Sequence, residues 1–334
     1  MNKKFKVFFD TKIYIVCPPY YKTGGTELAH QLVKELNNIG RKAMITYYGD
    51  GERLINPAFL EYVDEFCNIE DVEDNNHNII VFPEIVTEME KIFSNIQKSI
   101  WWMSVDNYLS THNLEYYAKN NGYFKTFRHV LKGKFKLNAD VINKSVIHLY
   151  QSEYARLFLN ERGIVNSERL SDYINDDYLN NSLSVEKREN IVLYNPRKGF
   201  QFTKKIIHSA KNCKFVALEN LTNKEVKDLL NKSKVYIDFG NHPGKDRFPR
   251  EAAICGCCVI TGKDGAAGNE IDIPIENDFK IDAKDENISL VCATIRRCLE
   301  NYDTESRRFE NYRVLIRKEH SMFCDDVKRL FGND

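Results

Sequence analysis

Two α/β domains, each a parallel sheet wound with helices, are what the 334-residue sequence predicts, and three observations predict them. Short β-branched apolar runs alternate with stretches of helical period along nearly the whole chain, as in strand-helix-strand units rather than hairpins. That alternation is interrupted by one polar region, Asn166 to Asn190, and then restarts. Finally, residues His242 to Pro274 place a helix start, a small-residue helix, a buried strand and a glycine-rich turn in immediate succession.

The elements follow in chain order. Ile13 to Cys17 (IYIVC) reads as a strand, Pro18 to Gly25 as a loop, and Thr26 to Asn38 as a helix with Leu28, Leu32, Val33 and Leu36 on its apolar face. Strands are predicted at Lys42 to Tyr48, Asn78 to Phe82 and Lys98 to Met103, with a strand end and helix at His148 to Gly163. After the polar region come strand Ile191 to Tyr194, helix Thr203 to Lys211, strand Lys214 to Leu218, helix Asn223 to Leu230, strand Val235 to Phe239 and strand Cys257 to Thr261. Long charged helices are expected at Ser289 to Glu300 and Asp303 to Phe331. No internal repeat or low-complexity segment appears.

Composition excludes several classes. Lys plus Arg and Asp plus Glu are both 48, so no global field argues for nucleic acid, and a charged partner must be met by a local patch. The nine cysteines sit in apolar segments and read as reduced core residues of a cytoplasmic protein. Cys255, Cys257 and Cys258 straddle a helix end and a strand whose alternating side chains do not converge on one ion, so packing is favoured over zinc. No apolar stretch has the length of a signal or a membrane span.

The segment around His242 is the most informative. Val235 to Phe239 delivers the chain to the loop Asn241 to Arg247, and Pro249 falls where a first helical turn tolerates proline. Phosphate oxygens would there meet backbone N–H groups and a positive helix end. Glu251 is expected to open the helix, and Ala252, Ala253 and Gly256 let it lie close to the sheet. Earlier in the chain, Thr23-Gly24-Gly25-Thr26-Glu27 stands between a strand and a helix, where glycine lets backbone N–H groups approach a ligand closely; a tight turn with Thr26 as helix cap is the alternative. It lacks the GxGxxG spacing of a dinucleotide fingerprint. Tyr194 to Gly199 (YNPRKG) follows the first strand of the second half and carries adjacent Arg197 and Lys198. Glu84 and Asp106 stand just beyond two predicted strands, where wound α/β folds bind ligands. Either carboxylate suits a general base or a holder of sugar hydroxyls, and helix capping is the alternative. Trp101 and Trp102 read as core and cleft wall, with sugar stacking open to one of them.

These motifs together resemble GT-B glycosyltransferases, in particular the large retaining family whose signature is an acid, seven residues, then glutamate-alanine and a later Gly-x-Pro-Val. Glu251-Ala252, Gly256 and Val259-Ile260 fit its second half, while the first acid's position is Pro243 and Asp246 is the nearest carboxylate. The resemblance implies two Rossmann-like parallel-sheet domains facing a central cleft: an acceptor-side domain of residues 1–165 joined by the C-terminal helix 316–334, and a donor domain of 166–315. It implies a nucleotide-sugar-dependent transferase acting on a hydroxyl of a glycan or lipid-linked acceptor, in bacterial surface polysaccharide assembly, with neither metal nor cofactor. By the same resemblance, Glu251 binds the donor ribose, Lys198 and Arg197 the diphosphate, and Gly24, Gly25, Thr26, Lys245, Asp246, Arg247, Phe248 and Asn269 the phosphate and sugar. Glu84, Asp106 and Lys198 are the catalytic candidates. Residues Lys119 to Lys136 hold six cations and no acid among aromatic residues, and resemble the surface by which many such enzymes rest on anionic lipid. Two other classes stay open: a sugar-nucleotide epimerase sharing the pocket, and a non-catalytic glycan- or partner-binding protein.

Overall fold

The computed structural model describes residues 5–49, 53–132, 142–179 and 188–332. Its contacts divide into two compact units. One comprises the chain up to Asp172 together with the residues from Ser321 on, and the other is Tyr173–His320.

The first unit holds β1 (Lys12–Cys17), α1 (Gly24–Asn38), β2 (Lys42–Tyr47), β3 (Phe66–Asn68), β4 (Ile79–Pro83), β5 (Gln97–Trp102), α2 (Val105–His112), α3 (Leu114–Asn121), α4 (Tyr123–Leu131), β6 (Ile147–Tyr150), α5 (Glu153–Glu161) and β7 (Glu168–Arg169). The strands form one parallel sheet in the order β3-β2-β1-β4-β5-β6-β7. Its middle strands are apolar throughout because both faces are covered, and Ile13, Ile79, Ile80 and Phe82 are completely buried. Trp101 and Trp102 are also core residues, 1% and 0% exposed, so neither ring is free to stack on a sugar. Their indole N–H groups donate to the Leu170 carbonyl at 2.9 Å and to His148 Nδ1 at 3.0 Å.

The second unit holds α6 (Asp176–Leu179), β8 (Glu189–Tyr194), α7 (Phe200–Ser209), β9 (Lys214–Ala217), α8 (Asn223–Lys232), β10 (Ser233–Asp238), α9 (Arg247–Ile254), β11 (Cys258–Thr261), α10 (Ile288–Glu300) and α11 (Tyr302–Arg307). Four parallel strands run in the order β11-β10-β8-β9. The last helix, α12 (Glu310–Phe331), begins in this unit, and the contact division falls within it. In the first unit Phe331 stacks on Phe5 at 5.0 Å and Asp326 pairs with Arg169 at 3.0 Å.

Several expectations need correcting. The expected helix Asp303 to Phe331 is two helices, because Phe309 turns into the core against Phe279 while Arg308 turns out to Glu276 and Asp278. Glu251 does not open its helix, which begins one turn earlier at Arg247. Thr26 is not the cap of α1: Thr23 is, and Thr26 answers it from the third helical position. Helices α2 and α3, and strands β3 and β7, carry too little periodicity to be read from so few residues. Within Lys119 to Lys136, the chain is described as far as Lys132, just past the end of α4, and residues 133–136 lie outside the described residues.

Candidate functional site

In the second sheet the chain runs from β8 outward to β9 and then returns to lay β10 on the other side of β8. Such a reversal splays the loops that leave the two central strands and opens a crevice at their C-terminal ends. The loop after β8 brings Asn195 to Gly199, and the loop after β10 brings Phe239 to Asp246.

These loops pack backbone on backbone. Gly199 and Gly265 adopt φ of 60° and 61°, and a Cβ on either would collide with the carbonyl of Phe239 or His242 respectively. The His242 carbonyl instead accepts the Ala266 N–H at 2.8 Å. The loops after β8, β10 and β11 thus meet through bare backbone.

A charged cluster gathers where the β8 and β10 loops meet. Asp238, at the end of β10, accepts the Tyr236 hydroxyl at 2.8 Å and the Gly240 N–H at 3.0 Å. His242 follows four residues later in the loop, its Nε2 3.9 Å from Asp238 Oδ1 and its Nδ1 3.0 Å from Asp246 Oδ2. Lys198 crosses from the β8 loop to the same Asp246 oxygen at 2.8 Å. Burial pushes the Asp238 carboxyl up, with His242 and the Gly240 N–H only partly offsetting it. Burial alone would lower His242, but Asp246 and Asp238 outweigh it and hold its pKa above the ordinary value. For Asp246 the upward push of burial is outweighed by His242 and Lys198, so it stays ionised below the usual range.

Asp246 is also the residue that precedes α9, yet its side chain makes no capping bond because it is spent on the two cations. The first turn of α9 is therefore not capped by the Asp246 side chain, and Pro249 has no N–H to offer. An anion is the natural complement of such an end. Glu251 is buried one turn along the helix, and Phe248 is half-buried against Tyr236.

Arg250 braces this arrangement from below. Its guanidinium is wholly buried and donates to Glu319 of α12 at 2.8 Å, to the Asp246 carbonyl at 3.1 Å and to the Lys245 carbonyl at 2.7 Å. Lys245 reaches the other Glu319 oxygen at 2.7 Å. Lys245 is thus part of the brace, and Arg197 is exposed with its N–H held by Asn195 at 3.0 Å. Asn269 builds the glycine-rich turn: its side-chain oxygen accepts from Ile271 and Asp272, and its amide donates to Ala266 and Asp272.

The first sheet has its own reversal, between β1 and β4. The loop after β1 ends in Gly24 and Gly25, the first two residues of α1, whose N–H groups have no helical carbonyl to meet. The Thr26 hydroxyl donates to the Tyr21 carbonyl and accepts from Thr23, which holds that loop. Met103 packs beside Gly25, and its N–H donates to Glu84 at 3.1 Å. Glu84 lies directly after β4, is 3% exposed, and is pushed by burial up to about 7 against the backbone N–H groups that favour its charge. Asp106, in the first turn of α2, accepts the Tyr154 hydroxyl at 2.9 Å.

Sequence reading missed Asp238, His242 and Arg250. The first two were signalled by an acid, a histidine and an acid spaced four apart from Asp238 to Asp246. Arg250 carried no signal, since only the tertiary position of Glu319 explains it.

No protein-family model matches the sequence, and no curated protein matches it. Among solved structures, HepE from Anabaena in complex with UDP and glucose superposes with a TM-score of 0.63 at 11% identity, over 96% of this chain and 98% of that one. A glycosyltransferase from Rickettsia africae matches with a TM-score of 0.56 at 14% identity, over 96% and 99% of the two chains. TarM from S. aureus, in complex with UDP among other ligands, matches at 0.55 and 15% identity over 79% of this chain, and the match spans only 57% of TarM. These likenesses establish that the fold is GT-B.

Proposed function

We propose that the chain is a glycosyltransferase, moving a sugar from a nucleotide-sugar donor to a hydroxyl of a glycan or lipid-linked acceptor in the assembly of a surface polysaccharide. The observation that carries this reading is the reversal between β8 and β10 in the second unit, where Lys198 of one loop pairs with Asp246 at the start of α9 and Glu251 is buried one turn along that helix. The leaving nucleoside diphosphate gains charge as the glycosidic bond breaks. Lys198 and the first-turn N–H groups of α9 are fixed positive groups on which that charge can settle, so no metal ion is required in this reading. Glu84, poised near neutral pH, is assigned the handling of the acceptor hydroxyl's proton. An epimerase would turn over the donor alone, so product analysis with and without acceptor separates the two.

The first test is a thermal-shift screen against UDP, GDP, CMP and dTDP sugars, since a pocket ligand stabilises the folded state by mass action. Glu251→Ala, folded as wild type, is expected to bind the stabilising donor about 2 kcal/mol more weakly by calorimetry, the scale of a hydrogen bond to a charged group. Unchanged affinity would remove Glu251 from the ribose.

An acceptor on lipid requires a membrane face, and among the described residues no helix is long and apolar enough to cross a bilayer. Helix α4 offers an alternative attachment. Tyr123, Phe124, Phe127 and Leu131 are all exposed on one arc, with Lys125, Arg128 and Lys132 on the next and no acid between residues 119 and 132. Replacing Arg128 and Lys132 with glutamine is expected to cost about 2 kcal/mol, roughly thirtyfold, in affinity for phosphatidylglycerol vesicles. Binding that ignores both the substitutions and added salt would leave the arc an ordinary solvated face.

A further inference from the structure

Asp246 Oδ2 carries two cations at once, Lys198 Nζ at 2.8 Å and His242 Nδ1 at 3.0 Å. The groups facing His242 are Asp246 on its own loop, Asp238 at the end of β10 and, past Asp246, Lys198 from the β8 loop; from the β11 side it meets the backbone of Gly265. A carboxylate whose side chain is only 18% exposed is costly to leave without a positive partner. Were Lys198 to turn from Asp246 to phosphate oxygens, the charge on Asp246 would rest on His242 alone. Protonated, His242 can hold it. Neutral, it leaves Asp246 competing with the ligand for the lysine.

We propose that His242 is a positioning residue for nucleoside-diphosphate binding: by carrying a proton it takes sole hold of Asp246 and frees Lys198 for the phosphates. The inference rests on the donor-site reading above and adds to it a residue and a direction of pH dependence. The two carboxylates that flank the imidazole keep it protonated to higher pH than an ordinary histidine. Binding of a diphosphate should therefore be strongest while His242 is charged, and weaken as pH rises through its titration. Asp238, His242 and Asp246 also have the make-up of a divalent-cation site. The Lys198 ammonium already stands on the shared oxygen, so the cluster holds its positive charge without an ion.

The test is calorimetric titration of the full chain with UDP and, separately, GDP from pH 6 to pH 9, taken as the ratio of wild-type to variant affinity so that titration of the nucleotide itself cancels. His242→Asn, which keeps the size but cannot carry the proton, should bind about tenfold more weakly at pH 6 and converge on wild type by pH 9. Adding Asp246→Asn to it should restore affinity, since the carboxylate that pairs with Lys198 is then gone; a packing role for His242 would not be rescued this way. A ratio that does not change with pH, or a double variant no better than His242→Asn, overturns the proposal. So does stabilisation by Zn²⁺ or Mn²⁺ that wild type shows and His242→Asn lacks, which would make the cluster a metal site. If neither nucleotide binds wild type at any pH, the donor-site reading itself falls and takes the inference with it.

Discussion

Arg250→Ala is expected to destabilise the protein by about 3 to 5 kcal/mol, read as a shift of the urea midpoint of the transition in which the second unit unfolds. The guanidinium is 0% exposed, and its Glu319 partner is nearly as deep, with its side chain 7% exposed. Removing the arginine leaves Glu319 with Lys245 alone and strips the donors from the carbonyls of Lys245 and Asp246. Each orphaned acceptor bears a desolvation cost that the water of the unfolded chain would have met. Asymmetry is the diagnostic. Arg250→Met combined with Glu319→Gln removes both charges and should recover at least half of the loss, because replacing a buried pair by neutral groups costs less than breaking it. A single variant that costs under about 1 kcal/mol would mean that the pair is not the brace of the α9 loop. The same substitution should weaken nucleotide binding, since the carbonyls that Arg250 holds belong to Lys245 and Asp246, and Asp246 in turn sets Lys198.

Two features of this fold were legible because they are local. The β-branched strand runs are apolar throughout, since parallel strands are buried on both faces, so β1, β4, β8, β10 and β11 appear in the sequence within a residue or two of where they lie. The glycine turns were equally plain, because Gly199 and Gly265 occupy backbone conformations that other residues rarely adopt. What the sequence concealed are relations between elements. Lys198 was chosen for its place before Gly199, but that its ammonium rests on Asp246, 48 positions away, depends on which strands lie side by side. Lys245 was read as a ligand for phosphate, and its ion pair with Glu319 could not be read, because it depends on α12 returning to the α9 loop. Asn269 stood in a turn suited to ligand approach, and its side chain turns out to be what makes the turn. Glu84 could be placed at a strand end, while its burial, and hence its chemistry, could not.

That burial leads to the second large effect. Glu84→Gln is expected to make the protein more stable while lowering turnover by a factor of about a hundred or more. The folded-state value near 7 lies above the ordinary carboxylate value of 4.5, so the fold favours the protonated acid. A group raised in this way contributes its full stability below pH 4.5 and loses it progressively as pH climbs through about 7. By pH 8 the wild type therefore carries a penalty of about 3 kcal/mol for ionising a carboxyl that is 3% exposed. Glutamine never ionises, and its side-chain oxygen can still accept the Met103 N–H. The variant should thus gain about 3 kcal/mol over wild type at pH 8 and nothing at pH 4, with the gain growing across the interval between. In wild type the same titration should appear as an inflection near pH 7 in kcat/KM, rising with pH as the base ionises, and the variant should lack it. The two readouts separate the roles. Greater stability with turnover intact would leave Glu84 a buried acid retained for the Met103 turn, and Asp106 would inherit the acceptor's proton. Lost turnover with no gain in stability at pH 8 would mean that the carboxyl ionises freely in the fold, and the burial argument would fail while the catalytic assignment stood.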